Sequence, residues 1–235
     1  MKKEKLKLAV LFSGGKDSCL ALYYAMKYEK VVCLITIESE NKASYMFHTP
    51  NIDLVRSQAE SIKVPVIVEK TKGVKEQELK DLEKAIKTAI NGYKIEGVVT
   101  GALASVYQAS RVQKICNKLG VECFNPLWQK DQFELLDEVI KLEFEVIIDG
   151  VFAEGLIDFI GKKIDNEFID AIKKIHKIYK INPAGEGGEL ESFVLDAPFF
   201  KKRLVVGRFD IIDDKKGGIT LIIKEIKLAS KKNGK

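Results

Sequence analysis

Ser13-Gly-Gly-Lys-Asp-Ser18 is the stretch that decides the fold we expect for this chain. It follows a predicted strand, residues 6–12, with the apolar run 8–12, and precedes a helical pattern that begins at Asp17. A glycine-rich turn between a strand and a helix exposes backbone N–H groups where the helix dipole favours an anion. Lys16 adds a positive charge, and the two serines add hydroxyl donors. The sequence therefore predicts a phosphate-binding loop.

This loop differs from a Walker A motif, and a simpler interpretation of it stays open. A Walker A motif needs a glycine five positions before Gly15, and position 10 is valine. The simpler interpretation is an ordinary strand-to-helix turn, in which Asp17 only caps the helix. We favour the phosphate loop because the strand, the glycines, the lysine and the hydroxyls all stand where a phosphate requires them.

Short apolar runs alternate with helical periods in the first half of the chain. This pattern predicts an α/β fold with a doubly wound parallel sheet, Rossmann-like and of HUP type. The predicted strands are residues 6–12, 31–37, 64–68 and 97–100. The predicted helices are residues 17–28, 53–62, 75–93 and 103–119. Such sheets bind ligands at the carboxyl ends of their strands, so we expect the site near residues 13, 38 and 101.

The pattern changes after residue 125, where we expect a second, smaller α+β domain. Helices are predicted over residues 133–142 and 166–179, and a strand over residues 146–150. Two further predicted strands, residues 203–212 and 219–227, are joined by a hairpin signal, Asp213-Asp-Lys-Lys-Gly-Gly218. Pro126 disfavours continuation of the element before it. We therefore divide the chain into domains of residues 1–125 and 126–235.

Composition and charge exclude several classes of protein. The chain has 235 residues, and its 46% of apolar residues is too high for a disordered chain. The net charge of +5 comes from 39 basic and 34 acidic residues, without the dense basic stripe of a nucleic-acid binder. The four cysteines form no C-x-x-C pair, which fits a reducing cytoplasm. No apolar stretch approaches 18 residues, so we expect no membrane span.

The loop resembles the PP-loop, S-G-G-x-D-S, of the ATP pyrophosphatases, which include asparagine, GMP and NAD synthetases. The resemblance implies that Asp17 assists a Mg²⁺ ion and that neighbouring residues hold the pyrophosphate part of ATP. Those residues are Ser13, Gly14, Gly15, Lys16 and Ser18. It further implies that a substrate oxygen attacks the α-phosphorus and pyrophosphate leaves. A nitrogen or sulfur nucleophile then displaces AMP.

Three further stretches resemble one branch of that superfamily, the diphthine–ammonia ligases, which complete diphthamide on elongation factor 2. They are Met46-Phe-His-Thr-Pro-Asn51, Gly101-Ala-Leu-Ala-Ser-Val-Tyr-Gln-Ala-Ser-Arg111 and Glu186-Gly-Gly-Glu-Leu-Glu-Ser-Phe-Val-Leu-Asp196. The last stretch, together with Pro126-Leu-Trp128, is more specific than the loop alone. The resemblance covers nearly the whole chain. It implies an enzyme that uses ATP, Mg²⁺ and free ammonium and acts on diphthine-bearing elongation factor 2.

Several residues of these segments are candidate nucleotide or substrate contacts. Ile37 ends the second predicted strand, and Gly101 follows the fourth, where a missing Cβ lets a nucleotide approach. Arg111 shares a helix face with Tyr107 and is the expected second phosphate contact. The expected substrate contacts are His48, Tyr107 and Gln108. The alternatives are a solvated helix face and a histidine that only makes a structural hydrogen bond.

An acidic run, residues 185–191, reads as a flexible loop that carries three carboxylates close to Phe193, Phe199 and Phe200. Diphthine carries a quaternary trimethylammonium group, which anionic side chains and aromatic faces both attract. We therefore expect this run to bind that cation, ammonium or both, although many acidic loops are merely solvated. The expected substrate contacts here are Glu186, Glu189 and Asp196. The expected catalytic residues are Lys16, Asp17, Glu189 and Glu191.

Two other functions are compatible with these residues. One is a tRNA-modifying adenylase of the same superfamily, although the chain lacks suitable cysteine chemistry and an RNA-binding extension. The other is a non-catalytic ATP-binding switch. We expect no direct contact with nucleic acid. The sequence leaves the oligomeric state open, with a homodimer among the alternatives.

Overall fold

The computed structural model describes residues 4–41, 47, 50–214 and 217–231. The first half contains five strands: β1 Lys7–Leu11, β2 Lys30–Ser39, β3 Val66–Thr71, β4 Gly97–Val99 and β5 Glu122–Phe124. The helices that connect them are α1 Lys16–Tyr28, α2 Val55–Ile62, α3 Glu78–Tyr93 and α4 Val106–Leu119. All neighbouring strands are parallel, in the order β3-β2-β1-β4-β5. This confirms the predicted doubly wound sheet.

The structure corrects some boundaries of this half. The sequence analysis did not predict β5, because its three residues are too short for the apolar run that marks a buried strand. The third and fourth helices begin three residues later than predicted. In α4 the reason is a cap, because the Ser105 side chain accepts a hydrogen bond from Gln108 N.

Alternate residues of β1 enter two cores on opposite faces of the parallel sheet. Leu8 and Val10 pack on the side of α1 and α2, whereas Ala9 packs on the side of α3 and α4. A strand buried on both faces has no polar alternation, which is why residues 8–12 read as one continuous apolar run.

The second half adds two helices, α5 Gln132–Lys141 and α6 Asn166–Tyr179. Its strands are β6 Glu145–Val151, β7 Leu190–Asp196, β8 Arg203–Val206, β9 Phe209–Asp213, β10 Ile219–Ile223 and β11 Ile226–Ala229. Four of these strands form an antiparallel sheet of order β7-β6-β10-β9, and β8 pairs with β11. The expectation of a smaller α+β arrangement is thus confirmed.

The predicted hairpin strands 203–212 and 219–227 are each divided in two. The same antiparallel register runs from the pair Asp213 and Ile219 to the pair Val206 and Ile226. Between these ends the Arg208 carbonyl accepts hydrogen bonds from two consecutive N–H groups, those of residues 224 and 225. The ribbon bends there, so one end joins the four-stranded sheet and the other forms the separate β8–β11 pair.

One apolar core extends across residue 125. Leu8 and Val10 of β1 belong to the same buried cluster as Val146 of β6, Phe168 of α6 and Phe193 of β7. Burial of this shared apolar surface stabilises the two halves against each other.

In the described part of the chain, no helix is both long and apolar enough to cross a membrane.

Gln58 of α2 ties the loop after β1 to β7. Its side chain is fully buried, and Nε2 donates to the carbonyls of Gly14 at 2.9 Å and Val194 at 2.8 Å. Val194 N in turn donates to Gly14 O at 3.0 Å. The predicted phosphate loop is therefore held from both halves of the chain.

Replacing Gln58 by methionine keeps the volume of the side chain and removes the amide donor. We expect the free energy of unfolding to fall by about 1–2 kcal/mol, because two buried carbonyls lose a hydrogen bond. Urea denaturation of the full chain measures this change. Gln113→Met, on the outer surface of α4, is the matched control and should change it by less than about 0.5 kcal/mol. Equal effects of the two substitutions would contradict the role of Gln58.

Candidate active site

The turn between β1 and α1 has the geometry of an anion-binding loop. Gly14 has a φ of +83°, and a Cβ added to it would lie 2.2 Å from Gln58 Oε1. Both observations require glycine at this position. Ser18 Oγ donates to Gly15 O at 3.1 Å and accepts from Ser13 Oγ at 3.2 Å, which fixes the turn. Within the described residues, the N–H groups of Asp17 and Ser18 at the start of α1 have no protein partner, so they are free to bind an anion.

Lys16 lies almost entirely buried beneath this loop. Its Nζ donates to Asp17 Oδ2 at 2.9 Å and to the carbonyl oxygen of Ala184 at 2.5 Å. Its backbone N–H donates to Ser192 Oγ at 3.2 Å. A buried ammonium group is costly unless it is paired, so the carboxylate and the carbonyl hold the positive charge in place. Ser192 lies on β7 and Ala184 lies in the segment between α6 and β7, so the second half helps to position Lys16.

A cleft of about 930 Å³ lies over the loop, between the carboxyl ends of the parallel strands and the antiparallel sheet. Its polar lining includes the phosphate loop, Gln108, Glu186, Glu191 and Ser192. Its apolar lining includes Ile37, Phe47, Ile52, Phe152, Ile212 and Ile222. Such a volume suits a nucleotide-sized ligand.

Three carboxylates line the cleft near Lys16, those of Asp17, Glu186 and Glu191. Burial raises the pKa of Glu191 to about 7, with Lys16 opposing the shift and Asp17 adding to it. Burial also raises the pKa of Glu186. Asp17 Oδ1 is buried without a hydrogen-bond partner among the described residues. The cleft therefore holds the positively charged side chain of Lys16 next to several carboxyl groups. A cation bound in the cleft would stabilise the ionised form of these carboxyl groups.

Glu186 and Glu189 have different positions, although both lie in the predicted acidic loop. Glu186 Oε1 accepts from the N–H groups of Ala104 at 2.9 Å and Ser105 at 3.0 Å, at the start of α4. Glu189 accepts from Asn182 N at 2.8 Å and Gly187 N at 2.8 Å, and it lies outside the cleft lining. Glu189 thus stabilises the conformation of residues 182–189 through hydrogen bonds within the loop, whereas Glu186 connects this loop to α4 at the cleft.

The acidic run is more ordered than the sequence suggests, and its aromatic neighbours lie elsewhere. Strand β7 begins at Leu190, so Glu191 lies on a strand and not in a flexible loop. Phe193 and Phe200 are buried in the core, and Phe199 packs against Phe200. The expected aromatic contribution of these three residues to a cation site is wrong, because strand β7 and the turn after it carry them into the shared core. Phe47 and Phe152 are the aromatic residues that line the cleft.

Tyr107 and Arg111 form a cluster with Glu76 outside the cleft lining. Tyr107 Oη donates to Glu76 Oε1 at 2.8 Å, and Arg111 Nε donates to the same atom at 2.8 Å. The guanidinium group lies 3.4 Å from the centre of the Tyr107 ring. The hydrogen bond from Arg111 lowers the pKa of Glu76. Of the three residues singled out on this helix, only Gln108 reaches the cleft.

Other predicted contacts also differ in where they lie. Ile37 and Gly101 line the cleft as expected. A Cβ at Gly101 would lie 2.9 Å from Ser18 N, so glycine is required there by the backbone of α1 as well. Asp196, at the other end of β7, forms an ion pair with Lys231 at 2.9 Å and lies outside the cleft lining. His48 lies outside the described residues.

The sequence analysis missed a buried polar pair beneath the cleft. Asn51 Nδ2 donates to Asp149 Oδ2 at 2.8 Å and to Leu221 O at 2.9 Å, and its Oδ1 accepts from Ile223 N at 2.8 Å. These bonds fix the segment after β2 to the antiparallel sheet. Burial raises the pKa of Asp149 well above its ordinary value. The available signal was a lone aspartate within the apolar run of residues 146–151.

Comparisons with known proteins cover both halves of the chain. Residues 6–123 match the family model of the diphthamide synthase N-terminal domain, and residues 131–228 match that of the C-terminal domain. A diphthine–ammonia ligase from Schizosaccharomyces pombe is 33% identical, over 91% of this chain and 38% of its own length. One from Rattus norvegicus is 33% identical, over 86% of this chain and 83% of its own length.

Solved structures show a more distant likeness. A predicted subunit of tRNA methyltransferase from Methanocaldococcus jannaschii is 18% identical, with a TM-score of 0.45. The match covers 82% of this chain and 98% of that one.

Glu191→Gln and Glu189→Gln should change stability in opposite directions. Folded Glu191 keeps its proton up to about pH 7, whereas the unfolded carboxyl loses it near its ordinary pKa of 4.5. The free energy of unfolding therefore falls as the pH rises through that range, because the folded protein must then bury a charged carboxylate. Glu191→Gln avoids this loss and should raise the free energy of unfolding at pH 8 by about 1–3 kcal/mol. The gain should shrink towards pH 5. Glu189→Gln should destabilise the protein at both pH values, because the loop bonds weaken. Urea denaturation at pH 5 and pH 8 measures these changes. If the free energy of unfolding shifted in the same direction in both variants at pH 8, this account would be contradicted.

Proposed function

Since this chain belongs to the diphthine–ammonia ligase family, we propose that it converts diphthine on elongation factor 2 to diphthamide. In this reaction ATP and ammonia are consumed, and AMP and pyrophosphate are released. The family membership and the names of the relatives support the reaction. The observation that carries the proposal is the cleft itself, in which the phosphate loop with its buried Lys16 faces the carboxylates of Glu186 and Glu191.

The first half of the reaction activates a carboxylate. A carboxylate oxygen of diphthine attacks the α-phosphorus of ATP, and the bond to the β-phosphate breaks as pyrophosphate leaves. Lys16 and the free N–H groups at the start of α1 bind the pyrophosphate oxygens, where negative charge accumulates. Donors that are already fixed in place stabilise such charge without reorganisation, which is the larger part of the expected rate gain.

The residues of the cleft fit a Mg²⁺ ion that is bound mainly by ATP. Asp17 Oδ1 is buried with no protein partner, as expected for an atom that binds a cation. Among the described residues, no group of three or more His, Cys, Asp or Glu is arranged to hold a metal. Mg²⁺ commonly takes one or two carboxylates and completes its shell with phosphate oxygens and water. Asp17 would hold the ion, which neutralises phosphate charge when it is bound.

The second half of the reaction needs a base, because ammonium has no free electron pair. Glu191 lines the cleft close enough to Lys16 and Asp17 for their charges to affect its pKa. A carboxylate at this position accepts a proton from ammonium, and the resulting ammonia attacks the acyl carbon of the adenylate. AMP then leaves with the electron pair of the broken C–O bond, and the nitrogen releases its surplus proton to water or to the phosphate group of AMP. A base with a pKa near the working pH is the most effective one.

The apolar lining of the cleft suits the other end of the substrate. Phe47 and Phe152 offer aromatic faces, and Phe152 is 39% exposed. A trimethylammonium group binds such faces and is neutralised by nearby carboxylates.

The four cysteines form no disulfide, and three of them are buried, which supports a cytoplasmic location for the reaction.

The proposal predicts AMP and pyrophosphate as products that depend on the protein substrate. With α-labelled ATP, Mg²⁺ and ammonium, single-turnover product analysis should show AMP only when diphthine-bearing elongation factor 2 is present. Lys16→Ala should abolish AMP formation, because it removes the fixed charge beneath the phosphates. Lys27→Ala, on the outer side of the same helix, is the matched control. Release of ADP would contradict the proposal. Bound ATP that stays intact would also contradict it and would favour a non-catalytic ATP-binding switch. AMP that forms only with tRNA would favour the adenylase.

The proposed role of Glu191 predicts a specific pH profile. In the wild type, kcat/KM for ammonium should rise with pH through about 7, as the Glu191 carboxyl loses its proton. Glu191→Gln should lower kcat/KM by about 10²- to 10⁴-fold and remove this limb of the profile. Glu154→Gln, at an exposed position outside the cleft lining, is the control. An unchanged profile in Glu191→Gln would rule out Glu191 as the base.

A further inference from the structure

Strand β9, Phe209–Asp213, is an edge strand of the antiparallel sheet. It pairs with β10 on one side only, and within the described residues no strand lies beyond it in the order β7-β6-β10-β9. All five of its residues are exposed. Such an edge presents unpaired backbone donors and acceptors to another extended chain.

The hydrogen bonds of the hairpin show which backbone groups of β9 face outward. Asp214 N donates to Gly218 O, and Lys224 N donates to Arg208 O. Bonded pairs alternate with unbonded pairs along an antiparallel ladder, so the even-numbered residues of this strand turn their backbone groups towards β10. The N–H and C=O groups of Ile211 therefore point out of the sheet.

The side chains of this edge are unusually apolar. Phe209, Ile211 and Ile212 are 47%, 54% and 46% exposed. Natural edges are commonly protected by lysine, proline or a covering element, whereas β9 itself contains neither lysine nor proline. Its charged residues are Asp210, which forms an ion pair with Lys224 at 3.5 Å, and Asp213. Exposed apolar groups next to outward backbone groups are typical of an interaction surface.

The same strand leads into the cleft. Ile212 and Asp214 line the cleft, together with Thr220 and Ile222 of β10. A strand added to β9 would lie about 4.8 Å from it. Side chains on one face of that added strand would then point towards the mouth of the cleft.

We propose that β9 is the docking edge for the protein substrate, which adds an extended segment to the sheet and so presents its modified side chain to the cleft. This inference rests on the proposed function, because only a substrate carried on a protein needs a docking surface outside the cleft. Main-chain hydrogen bonds give affinity in this mode of recognition, and side-chain contacts give specificity. The segment that carries diphthine is the occupant that fits this edge, because Ile212 and Asp214 make the edge continuous with the cleft that receives the modified side chain.

The test compares Ile211→Pro with Ile211→Ala. Both substitutions remove the same exposed side chain, but only proline also removes the outward N–H group, and neither removes a hydrogen bond to β10. We expect Ile211→Pro to raise the KM for diphthine-bearing elongation factor 2 at least tenfold above that of Ile211→Ala, with the KM for ATP the same in both. Phe209→Asp tests the same edge without a change in the backbone and should raise the KM for the protein substrate several-fold.

Each result of this experiment decides the question. If the wild type forms AMP with the protein substrate and all three variants keep its KM, the docking inference is wrong and the proposed function stands. If the wild type forms no AMP with that substrate, the proposed function is wrong, and the inference that β9 docks the protein substrate is then wrong too. If sedimentation shows a wild-type dimer that Ile211→Pro dissociates, β9 joins two copies of this chain and the inference is wrong.

Discussion

The turn at Gly14 is held from both sides, and the rest of the site depends on this contact. Its carbonyl accepts hydrogen bonds from Gln58 Nε2 in α2 and from Val194 N in β7. Gly14 has a positive φ, and a Cβ there would force the Gln58 side chain to move, so glycine at residue 14 lets the loop, α2 and β7 keep these hydrogen bonds. Because β7 also places Glu191 and Ser192, one close contact sets the position of the phosphate loop relative to the carboxylates of the cleft.

Burial gives the charged groups of this cleft their chemical character. Asp17 and the Ala184 carbonyl accept hydrogen bonds from the buried Lys16 side chain, which compensates the cost of burying its charge. Within the described residues, Glu191 accepts no comparable hydrogen bond, and burial raises its pKa to about 7. Burial thus affects the two groups differently, because only the lysine is paired with protein acceptors.

Much of the fold and part of the site could be predicted because their signals are local. Residues 6–12 followed by Ser13-Gly-Gly-Lys-Asp-Ser18 predict a strand, a turn and a helix without any distant contact, and the structure has all three. Glu189 and Glu191 show the limit of such reasoning. They are two residues apart and chemically identical, yet one binds N–H groups of its own loop and the other lines the cleft. Spacing along the chain cannot distinguish these positions.

The sequence by itself determined the doubly wound sheet and the glycine turn between β1 and α1, because hydrophobic periodicity and glycine positions act over a few residues. Only the tertiary structure decided which polar side chains meet. It paired Arg111 with Glu76, buried Asp149 against Asn51, and placed β9 at the edge of its sheet beside the cleft. These outcomes depend on contacts between residues 35 to 98 positions apart. Such pairs are fixed by the packing of the two sheets against a shared core, which the order of residues specifies only through the complete fold.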